Sequence, residues 1–363
     1  MRPRRATPRI LPAALAALLA LTLATSAAAL TRRGDGRAND LVGSSGPDRL
    51  TGHGGNDSLR GLGGRDVLDG GTGRDRVSGG SGADRLTGGT NRDVVLGGPG
   101  DDRADGAGGD DRVEGDSGDD RLLGGAGADR ILGGSGDDDI GGGSQADTIA
   151  GGDGADTIAG DAAEDRISGG DGADTLNGGA DADRVDGGAG NDRIDGGQGP
   201  DVLLGGDGDD FIAEVRSDAR EHVEGGAGDD YISTAGGPDR VILGGPGNDV
   251  LHGGAQRSDL SNADQFGDGI SDGGAGNDIV LGGGGDDRVT GGDGNDVLYG
   301  GARLDAYDCG AGTDVAFVEN AIEGQVASTH GCEQVIVGDP SVADPSFDGL
   351  NGAPHPGKAT GGG

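Results

Sequence analysis

An all-β solenoid is the fold class the sequence predicts, and three periodic features predict it. Aspartate recurs every nine residues from Asp48 to Asp210, glycine opens each nonad from Gly43 to Gly205, and an aliphatic residue follows each Asp by two places, from Leu50 to Ile212. Ala104 is the one small member of that last series. In phase the unit reads G-G-x-G-x-D-x-U-x, with U aliphatic; Gly151-Gly152-Asp153-Gly154-Ala155-Asp156-Thr157-Ile158-Ala159 is a complete copy. A sustained short period marks stacked repeats. Without it, 88 Gly, 12 Pro and a formal charge of −37 in 363 residues would indicate disorder.

The triplet x-U-x is expected to be extended, with U inward and its neighbours outward, because strands alternate faces. The six residues G-G-x-G-x-D are expected to form a turn, since glycine accepts positive φ without steric cost. Two nonads then close one coil, and coils stack ~4.8 Å apart. Two small parallel sheets face each other across single aliphatic layers.

Such a coil is not expected to hold without help. One buried aliphatic contributes roughly 1.5–3 kcal/mol, while ordering nine backbones costs about 1–2 kcal/mol each. Stacked Asp residues would also repel one another across ~4.8 Å. A cation between them is required. Ca²⁺ suits carboxylates and turn carbonyls in flexible geometry, whereas Zn²⁺ would want His or Cys and Mg²⁺ a stricter octahedron.

The nonad resembles the hemolysin-type, or repeats-in-toxin (RTX), calcium-binding repeat over residues 43–317. The resemblance implies a parallel β-roll, a right-handed β-solenoid, in which sixth-position Asp residues and loop carbonyls of adjacent same-side turns hold multiple Ca²⁺ ions. Carried over, one row is Asp48, Asp66, Asp84, Asp102, Asp120, Asp138, Asp156, Asp174, Asp192 and Asp210. The other is Asp57, Asp75, Asp93, Asp111, Asp129, Asp147, Asp165, Asp183 and Asp201. Asp230, Asp239, Asp249, Asp278, Asp287, Asp296 and Asp305 are implied ligands further on, and Asp314 completes the series.

Several copies depart from the pattern. The fourth-position glycine becomes Asn91, Gln145, Ala163 or Asp181, and the second becomes His53, Leu62, Ala107, Asp116 or Asp161. Weaker binding is expected there. The phase slips at Glu214-Val215 and again at Leu243. Residues 253–272 read as a degenerate insert in which Ser258 replaces Asp, while Asp268 and Ile270 fit an imperfect repeat.

Flanking segments read differently. Residues 1–29 have a basic start, an apolar run and Ala27-Ala28-Ala29, the pattern of a cleaved export signal. No later segment is apolar and long enough to span a bilayer, so a secreted, extracellular monomer is expected. Residues 30–42 read as a linker, 318–337 as a C-terminal cap and 338–363 as a disordered tail. Cys309 and Cys332 read as one disulfide, an even count in an exported chain, worth about 3 kcal/mol of loop entropy; two free thiols are the alternative.

Other chemistry finds little support. Gly269-Ile270-Ser271-Asp272-Gly273 matches G-x-S-x-G, which acts as a nucleophile elbow only in a strand–turn–helix setting. No H-E-x-x-H occurs, and a strongly acidic chain is a poor nucleic-acid ligand. Position three varies too much for an ordered ice-binding face. Ten seventh-position arginines between Arg49 and Arg193 would point outward, either offsetting the carboxylates or offering a stripe to sulfate or glycan. The expected function is therefore an exported, non-enzymatic calcium-binding protein, unfolded by acid as its ligands protonate. The alternative is a calcium-dependent adhesin for extracellular glycan or the cell envelope, with a secreted hydrolase more distant.

Overall fold

The outward–inward alternation around each aliphatic residue sets the architecture. The computed structural model describes residues 28–213, 221–234, 241–253, 270–284, 286–302, 305–318 and 329–337. Over these it is all-β, a parallel β-solenoid of about 15 turns. Odd-numbered strands, from β1 (Thr31–Arg33) to β33 (Gln334–Val337), form a 17-stranded sheet; even-numbered strands, from β2 (Asp40–Val42) to β32 (Thr329–His330), form a 16-stranded one. Each strand pairs in parallel with the strand one coil away, Arg49 opposite Val67 and Ser58 opposite Arg76. Among the described residues no helix is long and apolar enough to cross a membrane.

Strands are longer than the triplet read from the sequence. β3 (Arg49–Gly54) covers Arg-Leu-Thr-Gly-His-Gly, so the first two glycine positions belong to the ladder and only three residues make the turn. Backbone hydrogen bonding between parallel strands needs no side chain, so glycine pairs as well as any residue when a neighbouring coil holds it in register. Turn positions two and four take the left-handed conformation, as at Gly152 (φ 127°) and Gly154 (φ 132°). Among the described residues, all nine non-glycine residues with positive φ occupy these positions, including Leu62 (φ 84°) and Ala163 (φ 90°).

The core is one aliphatic column per sheet. Leu50, Leu68 and Leu86 stack in one, Leu59, Val77 and Val95 in the other, and all are buried. Seventh-position arginines such as Arg85 and Arg103 stand in register on the outer face. Further along the same face, Phe211, Tyr231, Val250, Ile279, Val297 and Val315 replace them. The Phe211 and Tyr231 rings stack 5.1 Å apart, and Arg193 lies over Phe211.

Several sequence expectations change here. Residues 30–42 are not a linker: Thr31–Arg33 pair with Arg49–Thr51, and Asp40–Val42 with Ser58–Arg60, so coiling begins before the first glycine-led nonad. Ser271, not Ile270, takes the core place, in register with Ile242 and Val289; Ile270 faces solvent. A coil's register is imposed by its stacked neighbours, and it overrides the local spacing from Asp268. For the same reason Leu243 lies in phase, opposite Glu224, and the slip falls earlier in the chain. Gln334–Val337 continue the odd sheet in register with Val315–Val318, so the described part of the C-terminal cap is a last coil. The export signal up to residue 27, residues 214–215, 254–269 and 319–328, and the tail lie outside the described residues.

Candidate metal centre

Each sixth-position Asp ends the turn and begins the next strand, and that place fixes both of its oxygens. Its Oδ1 accepts the backbone N–H of the row residue one coil earlier: Asp48 N–H donates to Asp66, Asp66 to Asp84, and so on at 2.7–3.0 Å. In the odd-sheet row this ladder is unbroken from Leu30 N–H, which donates to Asp48, through Asp102, Asp138, Asp174, Asp210, Asp230, Asp249, Asp278 and Asp296 to Asp314. The even-sheet row runs likewise from Asn39 N–H to Asp201, and again from Asp287 to Asp305.

The second oxygen is left over. Oδ2 is buried without a hydrogen-bond partner in nearly every row residue, from Asp57 to Asp314. It turns over the first-position glycine of its own repeat. A Cβ built on Gly151 would meet Asp156 Oδ2 at 2.1 Å and the Gly169 carbonyl oxygen of the next coil at 2.6 Å. Both atoms are acceptors, so neither satisfies the other. The first glycine of the motif thus leaves room for the carboxylate; the second and fourth supply the turn.

Burial of carboxylates without donors raises their proton affinity. Desolvation is the largest cause throughout, opposed by the backbone N–H and reinforced by neighbouring Asp charges. It lifts Asp84, Asp156 and Asp278 to about 6, Asp93, Asp138, Asp192 and Asp230 to about 7, and Asp249 to about 8. In Asp314 burial is again the first cause, and the adjacent Glu333 carboxylate raises it further. An electropositive group in these rows would reverse the shift.

Among the described residues no three His, Cys, Asp or Glu side chains converge on one point. One carboxylate per turn is what the geometry offers, so an ion here would need carboxylates of stacked same-side turns together with turn carbonyls. That donor set is all oxygen. It fits calcium, which takes six to eight such ligands, and not zinc.

A family model described as the RTX calcium-binding nonapeptide repeat matches in overlapping windows across residues 33–213 and again over 222–241, 241–257 and 272–302, more than half of the chain. The chain belongs to this family. No curated protein matches it. Across the RTX windows the matched repeats supply the Asp rows described above.

Two row positions are held by Glu and were not legible as Asp. Glu221 is buried two residues before the core residue Val223, and its carbonyl accepts Val241 N–H as row carbonyls do. Glu333 stands two before Val335, and its Oε2 accepts Asp314 N–H at 2.8 Å. The spacing to the next aliphatic could have found both, had the residue type been relaxed from Asp to any carboxylate. Asp239 lies outside the described residues; it precedes the core residue Ile242 by three places, where row carboxylates precede theirs by two. Ser271 is buried within β26 (Ile270–Ala275), not exposed on an elbow. Cys309 and Cys332 are joined as a disulfide.

Proposed function

We propose that the protein is an exported calcium-binding protein whose RTX roll folds as Ca²⁺ enters the turns, without catalytic activity of its own. The observation that carries this reading is the pair of buried Asp rows in which most carboxylates give one oxygen to the ladder and leave the other without a donor. Ca²⁺ supplies the missing positive charge. Row carboxylates of successive same-side turns, such as Asp138 and Asp156, would hold it together with turn carbonyls. Binding free energy is then folding free energy, and low cytoplasmic calcium leaves the chain unfolded until export.

Far-UV circular dichroism during a Ca²⁺ titration, with Mg²⁺ as control, tests this. A cooperative coil-to-β transition at about 0.1–1 mM Ca²⁺, the range of extracellular sites, is expected. A spectrum indifferent to Ca²⁺ and to EGTA would remove the rows from consideration as ligands.

A second reading is an adhesin in which the roll is a rigid spacer. Arg85 and Arg103, adjacent on the outer face without an ion-pair partner among the described residues, favour an anionic glycan as its partner. Calcium-dependent retention on a glycan array would support it. Uniform absence of binding at saturating calcium would exclude it.

A further inference from the structure

The odd-sheet carboxylate row outlasts the matched repeats, whose last window ends at residue 302. Asp314 is fully buried, its Oδ1 accepts Asp296 N–H at 2.9 Å, and its Oδ2 has no donor. On the next same-side turn Glu333 takes the row position. Asp314 N–H donates to Glu333 Oε2 at 2.8 Å, and Gln334 N–H donates to the Asp314 carbonyl at 3.0 Å, the pattern of every earlier turn. The Asp314 carboxyl lies beside that of Glu333.

The disulfide joins these two turns. Cys309 occupies the first position of the turn that ends in Asp314, and Cys332 immediately precedes Glu333, with the two Cα atoms 5.1 Å apart. Among the described residues no other pair of turns is joined covalently. Here a covalent bond fixes their separation before any ion arrives.

We propose that the roll ends in a cation site of its own, with Asp314 and Glu333 as carboxylate ligands and the Cys309–Cys332 bond clamping together the turns that carry them. The ligand is an oxygen-seeking divalent ion of the calcium class; the cysteine sulfurs are committed to each other. The site rests on the calcium reading above and deepens it, because a preassembled pair of turns binds with less ordering cost than a pair the ion must gather. It fastens the exposed apolar strand Gln334–Val337, whose outer edge no described strand covers.

Amide hydrogen exchange of the oxidised protein across a Ca²⁺ titration tests the site locally. Protection of Gln334–Val337 should rise with calcium. Glu333→Gln keeps an acceptor for Asp314 N–H but removes the charge, and should abolish that rise while strands between Arg49 and Ala302 keep theirs. The Cys309→Ser/Cys332→Ser variant should need about tenfold more calcium, or above, for the same protection, the usual effect of removing a support from a metal site. Unchanged calcium-dependent protection in Glu333→Gln overturns the terminal site. Indifference to calcium confined to Gln334–Val337 overturns it alone, whereas indifference of all strands overturns the calcium-folding reading as well.

Discussion

The backbone N–H of Asp138 donates to Oδ1 of Asp156, one coil later, at 2.8 Å. Both members of that contact carry negative charge at full ionisation, and the same contact recurs along both rows. The amide half of each Asp thus reaches the coil after, and the carboxylate half holds the coil before. The ladder role and the proposed ion-holding role meet on one residue, and a substitution can separate them.

Asp156→Asn retains an oxygen for the Asp138 amide and deletes the charge. In EGTA it should keep no less β structure than the parent, because the lost charge was disfavoured by burial. In calcium its folding midpoint should move to higher ion concentration. Asp156→Ala strands the Asp138 amide and should cost about 1–3 kcal/mol in either condition. Far-UV circular dichroism across a Ca²⁺ titration, with thermal melts in calcium, compares the three; an Asn variant identical to the parent at every calcium level would detach Asp156 from ion binding.

The pH dependence of the metal-free protein has a definite sign. Folding raises the proton affinity of the row carboxyls, so the folded chain binds more protons than the unfolded one. Their contribution is fully present below the ordinary carboxyl range near 4 and is lost as pH rises through about 6 to 8. In EGTA the far-UV β signal should therefore be larger at pH 5 than at pH 7.5. From sequence, acid is expected to unfold the roll by stripping its ligands; burial alters that, since the proton that releases the ion also relieves the charge. A β signal in EGTA that rises with pH would contradict this.

Glycine positions divide by what occupies them. Leu62 is half exposed and holds φ 84°, a conformation that costs a side chain about 1–2 kcal/mol. Leu62→Gly should stabilise by about 1 kcal/mol. Gly154→Ala, whose Cβ would fall 2.2 Å from the Gly136 carbonyl oxygen, should destabilise by more than the Leu62 change stabilises. Denaturant titrations in saturating calcium give both signs.

Ser271 interrupts the aliphatic column between Ile242 and Val289. Ser271→Val should raise stability by about 1–2 kcal/mol through added apolar burial. A loss of stability on denaturant titration would mean the hydroxyl is needed in that coil.

Much of this was readable in the chain. The period, both Asp rows to Asp210 and the core columns follow from one residue type holding one role in every coil. The six-residue strands did not, because glycine-rich composition suggests turn while the ladder that extends them is made by the neighbouring coil. Ser271 and Leu243 were misplaced for the same reason: their phase is dictated by Ile242, Val289 and Glu224, remote in sequence. Glu221 and Glu333 escaped because an Asp was sought where the row also takes Glu.

Along the odd-sheet row, linked Asp residues are 18 apart in most coils but 20 from Asp210 to Asp230, 19 from Asp230 to Asp249 and 29 from Asp249 to Asp278, and the hydrogen bond is 2.8–2.9 Å in all three exceptions. The roll counts layers, not residues. Lengthening a connection between coils costs only about 0.6 kcal/mol per doubling. Gly253 and Ile270 are therefore natural docking points for grafted peptides, and a lineage of such proteins can acquire new surface loops without renegotiating the scaffold that carries them.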